Sequence, residues 1–151
     1  MRIETSRVFV SYDRAHDGDL RDRLVAEARA GSLFSVAASS EASERSDDLD
    51  ERLRERIAAA DAVIVICGEH TDECPGVSNE LRITREEQKP HLLLWGRRAS
   101  MCKKPASAKL DDSMYGWTPD ILRAQLQMLM RVKRDVPDHL RRQPAVPKAS
   151  A

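Results

Sequence analysis

Glu80 has the residue type and the spacing for bond-breaking chemistry in this 151-residue chain. A helix is predicted over residues 77–87, and helical projection puts Glu80 about 60° from Val77 and about 100° from Leu81, so its side chain flanks the buried stripe. In the first turns of a helix that follows a strand's carboxyl end, one carboxylate can accept hydrogen bonds from sugar hydroxyls. It can also stabilise positive charge growing at a glycosidic carbon, the task that glycosidases give to acids. The same placement equally suits a helix N-terminal acid favoured by the dipole and paired with Arg82 or Arg85.

Other chemistries find less support. Cys67, His70, Cys74 and Cys102 offer thiol and imidazole donors, but their spacing fits no close-paired zinc pattern, so no metal site is expected. Cys74 lies near a helix start that could lower its pKa, which makes it a weak nucleophile candidate. None of the six glycines falls in a GxGxxG or GxxxxGK pattern and no GxSxG elbow occurs, which excludes ordinary dinucleotide, P-loop and α/β-hydrolase sites. A phosphoacceptor receiver would want an aspartate where the central strand ends in Cys67-Gly68. The loop YDRAHD lacks the hydroxyls and glycines of a flavin-phosphate cradle.

The elements that must position these residues alternate. RVFVSY at 7–12 is predicted as a buried strand, followed by a helix over 17–30 with Leu20, Leu24, Val25 and Ala28 on one stripe and Gly31 closing it. LFSVAA at 33–38 is a second strand, and the polar loop SSEASERSDD leads to a helix over 47–61, capped by Ser46 or Asp47 and carrying Leu49, Leu53, Ile57 and Ala60. AVIVIC at 62–67 is apolar at every position, as a central parallel strand covered on both faces must be. After the 77–87 helix, Lys89-Pro90 breaks the chain and HLLLW opens a fourth strand at His91. Residues 97–117 read as irregular, with the basic cluster Arg97, Arg98, Lys103 and Lys104 and room for one short edge strand. Thr118-Pro119-Asp120 starts a last helix over 118–132, with Leu122, Leu126, Leu129 and Met130 inward. The pattern predicts one flavodoxin-like α/β domain over residues 1–134, a parallel sheet of four or five strands with helices on both faces, and a disordered basic tail at 135–151. Ligands on such sheets bind beyond the carboxyl ends of the strands. That directs attention to the loops Ser11 to His16, Ala38 to Arg45, Cys67 to Gly76 and Trp95 onward.

At 17.0 kDa, with 41% hydrophobic and 33% charged residues and a mean hydropathy of −0.53, the chain suits one soluble domain and no second core. No apolar run approaches a membrane span and the N-terminus lacks the stretch of a signal peptide, so a cytoplasmic location is expected. Three widely spaced cysteines argue for reduced thiols. Zero net charge argues against a dedicated nucleic-acid binder, which draws affinity from neutralised phosphates. That zero hides thirteen acids against eight bases over residues 13–61, and two against seven over 121–151. Such opposed patches can steer self-association, or they are solvated helix faces and a basic tail.

The strings RVFVSYDRAHD, DAVIVICGEHT and GVSNELRITREEQKP, with the later YGWTPDILRAQL, together resemble the bacterial and archaeal TIR-like domains, in particular the short TIR proteins of Thoeris-type antiphage defence. The likeness spans residues 7–131. It implies a flavodoxin-like fold that binds NAD as substrate, without a separate cofactor, and cleaves the bond between ribose and nicotinamide by hydrolysis, cyclisation or transfer, yielding an ADP-ribose signal. Glu80 matches the position of the family's catalytic glutamate. Ser11 and Asp13 lie where the family lines its nucleotide cleft, Ser39 and Ser40 open the loop that gates it, and His70 and Thr71 are further ligand-positioning candidates. Capping and turn formation would employ these residues equally well, since Ser, Thr and Asp stabilise turns in any α/β protein. The resemblance also implies a homo-oligomer and a downstream effector protein. The landmarks of animal TIR adaptors are missing from the second loop. Two alternatives stay open beside the enzyme: an interaction module that assembles without turnover, and a sensor that binds a nucleotide without cleaving it.

Overall fold

Every residue of β3 (Ala62–Cys67) is buried, so the strand has to be covered on both faces and flanked on both edges. The computed structural model describes residues 6–31, 34–40 and 47–135, and in it β3 lies at the centre of a five-stranded sheet. The other strands are β1 (Ser6–Ser11), β2 (Phe34–Ser39), β4 (His91–Trp95) and β5 (Met114–Gly116), in the order β2-β1-β3-β4-β5 with every pair parallel. This is the flavodoxin-like order, and the sheet reverses direction of growth between β1 and β3.

Four helices cover the two faces: α1 (Gly18–Gly31), α2 (Asp47–Ala59), α3 (Pro75–Glu86) and α4 (Pro119–Asp135). Leu20, Leu24 and Ala28 of α1 and Leu122 and Leu126 of α4 pack on the face built by Val8, Val10, Ile64, Ile66, Leu92 and Leu94. Ile57 of α2 and Val77, Leu81 and Ile83 of α3 pack on the opposite face, against Phe9, Val63, Val65 and Leu93. Cutting a fully buried β3 side chain such as Ile64 back to alanine costs roughly 2–5 kcal/mol at this density.

Element ends depart from the expected ones by one to three residues, each with a local cause. The first strand stops at Ser11 and not Tyr12 because the Tyr12 N–H donates to the Ser40 hydroxyl at 3.0 Å. Helix α2 ends at Ala59, short of 61, because Asp61 turns to β1: its N–H donates to the Arg7 carbonyl at 2.7 Å and its carboxylate accepts the Arg7 N–H at 2.8 Å. Helix α3 begins two residues before position 77, with extended Cys74 ahead of it and Pro75 in the first turn, where a missing N–H costs nothing. Val25, expected on the α1 stripe, is only half-buried, and Gly31 is the last residue of α1. The Thr118 hydroxyl caps α4 as expected, accepting the Ile121 N–H at 3.1 Å.

Strand β2 contains the one irregularity that matters for the site. Val36 pairs with Val8 but Ala38 pairs with Phe9, leaving Ala37 as an extra, bulged residue. Alternation alone would keep Ala38 on the α1 and α4 face with Phe34 and Val36, but the extra residue at Ala37 turns it to the α2 and α3 face beside Phe9.

The segment between β4 and β5 is irregular yet well tied down. Arg85 forms an ion pair with Asp112 and donates to the Ser107 carbonyl at 3.1 Å, and Ser107 Oγ donates to the Ser78 carbonyl at 2.7 Å. Lys104 Nζ donates to the Asp112 carbonyl at 3.0 Å. The second-loop residues 41–46, Leu33, the Ser46 cap and the tail beyond residue 135 lie outside the described residues. Among the described residues no helix is long and apolar enough to cross a membrane.

Candidate functional site

Helix α3 presents Val77, Leu81 and Ile83 to the sheet, and Glu80 shares that inward side: it is 4% exposed. Two hydroxyls meet its carboxyl group. Ser11, at the last position of β1, donates to Glu80 Oε1 at 2.5 Å, and Ser40, just past β2, donates to the same oxygen at 2.5 Å. Ser40 is oriented by the Tyr12 N–H that its own oxygen accepts, so its proton is directed at Glu80. Glu80 Oε2 takes no part in either bond. The Thr84 hydroxyl donates to the Glu80 carbonyl at 2.7 Å and holds the helix at that turn.

Burial pushes the Glu80 carboxyl from 4.5 up to about 7, with the Ser11 and Ser40 hydrogen bonds working in the opposite direction. Removing a carboxylate from water without a cation nearby disfavours its charged form, and two neutral donors offset only part of that cost. The ion pair with Arg82 or Arg85 that the sequence left open does not form. Arg82 pairs with Glu86 and donates to Asn79, and Arg85 pairs with Asp112. A buried acid that titrates near neutrality, at the carboxyl ends of two adjacent parallel strands, can exchange a proton or offer charge to a ligand at physiological pH.

The bulge at Ala37 decides which of two adjacent serines serves this acid. With Ser39 opposite Val10, Ser40 follows on beside Ser11, whereas Ser39 is half-buried away from Glu80. Asp13 is buried and occupied locally: Oδ1 accepts the Ala15 N–H at 3.0 Å and Oδ2 meets His16 Nδ1 at 2.7 Å. Thr71 is fully buried, in a single 3-10 turn, and its hydroxyl oxygen accepts the Gly68 N–H at 2.7 Å, which shapes the loop after β3. His70 is exposed and its ring stacks on that of His16, with centroids 4.2 Å apart and planes 30° from parallel. Of the seven residues singled out in the sequence, the fold thus joins Ser11, Ser40 and Glu80 directly, and joins Asp13 to His70 by way of His16.

The sequence named His16 and Asp17 only as bounds of a loop and a helix, and Arg97 only as a member of a basic cluster. Arg97 follows β4 and reaches back to the β1–α1 junction, where its guanidinium grips both oxygens of Asp19 in the first turn of α1, at 3.1 and 2.9 Å. It also donates to Asp17 Oδ1 and to the His16 carbonyl, each at 3.1 Å. Asp17 is buried and its Oδ2 has no hydrogen-bond partner; burial holds its carboxyl above the usual range, with Arg97 pulling the other way. Gly68 lies against this carboxyl so closely that a Cβ there would stand 2.3 Å from Asp17 Oδ2, which explains why the β3 exit carries a glycine. Only the Asp13-x-x-His16 spacing could have signalled His16 in advance. The 80-residue separation of Asp17 and Arg97 gives no local sign.

The Cys74 thiol, expected to be lowered by the start of α3, is instead pushed up, because half-burial outweighs the Gly76 and Val77 amides. Cys67 is pushed up further by burial. Among the described residues no group of three or more histidine, cysteine, aspartate or glutamate side chains stands together as a metal site.

No curated protein sequence matches the chain. Among solved structures, a crystal structure of a prokaryotic SEFIR domain aligns with 94% of this chain and 99% of its own, at 20% identity and a TM-score of 0.48. Residues 9–99 match the family model for the TIR-like domain of the Thoeris protein ThsB. That match takes in the second half of β1, the bulged β2, the fully buried β3 and the helix bearing Glu80, and the chain belongs to the Thoeris ThsB TIR-like family.

Proposed function

We propose that this protein is an NAD-cleaving enzyme of antiphage defence, with Glu80 as its catalytic carboxylate and a nucleotide product that signals to a separate effector protein. The observation that supports this most directly is the buried Glu80 carboxyl, held by Ser11 and Ser40 without a cationic partner among the described residues and pushed up to about 7. Such an arrangement is costly for folding and is expected where an acid has work to do.

In the proposed reaction the ribosyl carbon bound to nicotinamide loses that base. The C–N bond breaks, its electron pair goes to the ring nitrogen, and neutral nicotinamide leaves. Positive charge then develops on the ribosyl carbon and its ring oxygen. The ionised Glu80 accepts hydrogen bonds from the ribose hydroxyls and stabilises this charge, an effect strengthened by the water-poor surroundings that raise its pKa. Water completes the step by adding to the carbon and releasing a proton, giving ADP-ribose. A nitrogen of the substrate's own adenine gives a cyclic product in the same way. The active form of Glu80 is the carboxylate, so turnover rises with pH through about 7.

Incubating concentrated protein with NAD and resolving the products by chromatography tests this reading. Nicotinamide should appear with the wild type, and Glu80→Gln should lower its release on the order of 10²-fold or more while the protein stays folded. Full activity in that variant refutes the assignment of Glu80. Concentration-dependent assembly with no turnover would return the chain to the class of interaction modules.

A further inference from the structure

We propose that His16 and His70 form a stacking platform for the planar base of a nucleotide, beyond the carboxyl ends of β1 and β3. This deepens the reading given under Proposed function and rests on it. The two rings come from the loops that follow β1 and β3, adjacent strands between which the order of the sheet reverses. Ligands of sheets with this order lodge at that reversal.

Each ring is set in place before any ligand arrives. His16 is held through Nδ1 by the buried Asp13, 2.7 Å away, and its backbone carbonyl accepts from Arg97, so the turn is braced from β4. His70 is held through Nδ1 by Glu73 at 3.3 Å. The rings stack at 4.2 Å, yet the two side chains remain 51% and 48% exposed, so π surface and ring edges stay open to solvent. A platform fixed in this way loses little conformational freedom when a flat base settles on it.

No Phe, Trp or Tyr among the described residues offers a substitute. The chain has two residues each of Phe, Trp and Tyr. Phe9, Phe34, Tyr12 and Trp117 are buried, and Tyr115 stands on the distant edge strand β5. Trp95 packs against the core at the end of β4, with its N–H given to the Arg97 carbonyl at 2.9 Å. Among the described residues, the exposed ring surface at the ends of β1 and β3 is therefore the histidine pair. Base stacking on a ring is a major part of nucleotide affinity where few hydrogen-bonding groups read the base.

The test uses Glu80→Gln, whose turnover is slowed on the order of 10²-fold or more under the reading above, titrated calorimetrically with AMP and with nicotinamide mononucleotide. The two probes distinguish the adenine end from the nicotinamide end. Adding His70→Leu or His16→Leu should weaken one of them about tenfold, whereas His70→Phe, which keeps a ring, should hold affinity within about twofold. Ribose 5-phosphate, which has no base, should bind all variants alike. Unchanged affinity for both nucleotides in the leucine variants, an equal loss with phenylalanine, or no binding of either nucleotide overturns the platform. NAD turnover by the protein with Glu80 intact is measured in parallel. Normal turnover with unaltered base binding removes the platform and leaves the enzyme. Base binding that depends on the histidines, without turnover, removes the enzyme and leaves the platform.

Discussion

Replacing Glu80 by glutamine should make the protein more stable, and only above a particular pH. The ordinary glutamate value is 4.5 and Glu80 stands at about 7, a displacement worth about 3 kcal/mol at roughly 1.4 kcal/mol per pH unit. Below pH 4.5 the carboxyl is protonated in the folded and unfolded chain alike, and the stability linked to its proton is fully present. Between 4.5 and about 7 the unfolded chain ionises while the folded one keeps its proton, so stability falls as pH rises. Above about 7 both are ionised and the full cost is borne. Glutamine accepts the Ser11 and Ser40 hydroxyls through its carbonyl oxygen and never ionises. Thermal melts of the two proteins should therefore nearly coincide at pH 4.5 and separate by roughly 6–12 °C at pH 8, with the variant higher. The shifted acids Asp17, Asp19 and Glu86 occur in both proteins and cancel in the comparison. A constant difference across this range, or a wild type that melts higher at pH 8, would refute the claim that burial governs this carboxyl.

The adjacent serines should separate cleanly. Ser40→Ala removes a donor to Glu80 and orphans the Tyr12 N–H, so the loss is about 1–3 kcal/mol and the Glu80 titration, followed by carbon NMR, moves upward; Ser39→Ala leaves that titration where it was. Gly68→Ala places a Cβ against the Asp17 carboxyl, which Arg97 holds in position, and should cost about 1–3 kcal/mol in chemical denaturation. Pairing it with Asp17→Ala should recover part of that loss.

How far the sequence could be read depended on whether the responsible force was local. β3 was legible because a strand covered on both faces is apolar at all six positions, and Glu80 because helical spacing alone sets it beside Val77 and Leu81. The segment after β4 was not legible. Its order comes from Arg85 meeting Ser107, 22 residues on, and Asp112 beyond it, contacts that leave no periodic trace. The partners of Glu80 were only half legible. Ser11 and Ser40 were both named, but so was Ser39, since nothing in LFSVAASS marks Ala37 as the residue outside the ladder. The Asp17 and Arg97 contact, which braces two loops at once, depends on the sheet being assembled first.

The extra residue in β2 gives the length of that strand a chemical meaning. With regular pairing from Val36 onward, Ser39 would stand beside Ser11 and Ser40 would pass to the opposite side of the sheet. The hydroxyl that reaches Glu80 is thus chosen by counting, odd or even, as much as by composition. Among relatives of this chain, a one-residue gain or loss between Val36 and Ser40 can hand the same duty to a neighbouring position, so aligned columns alone can misname the donor.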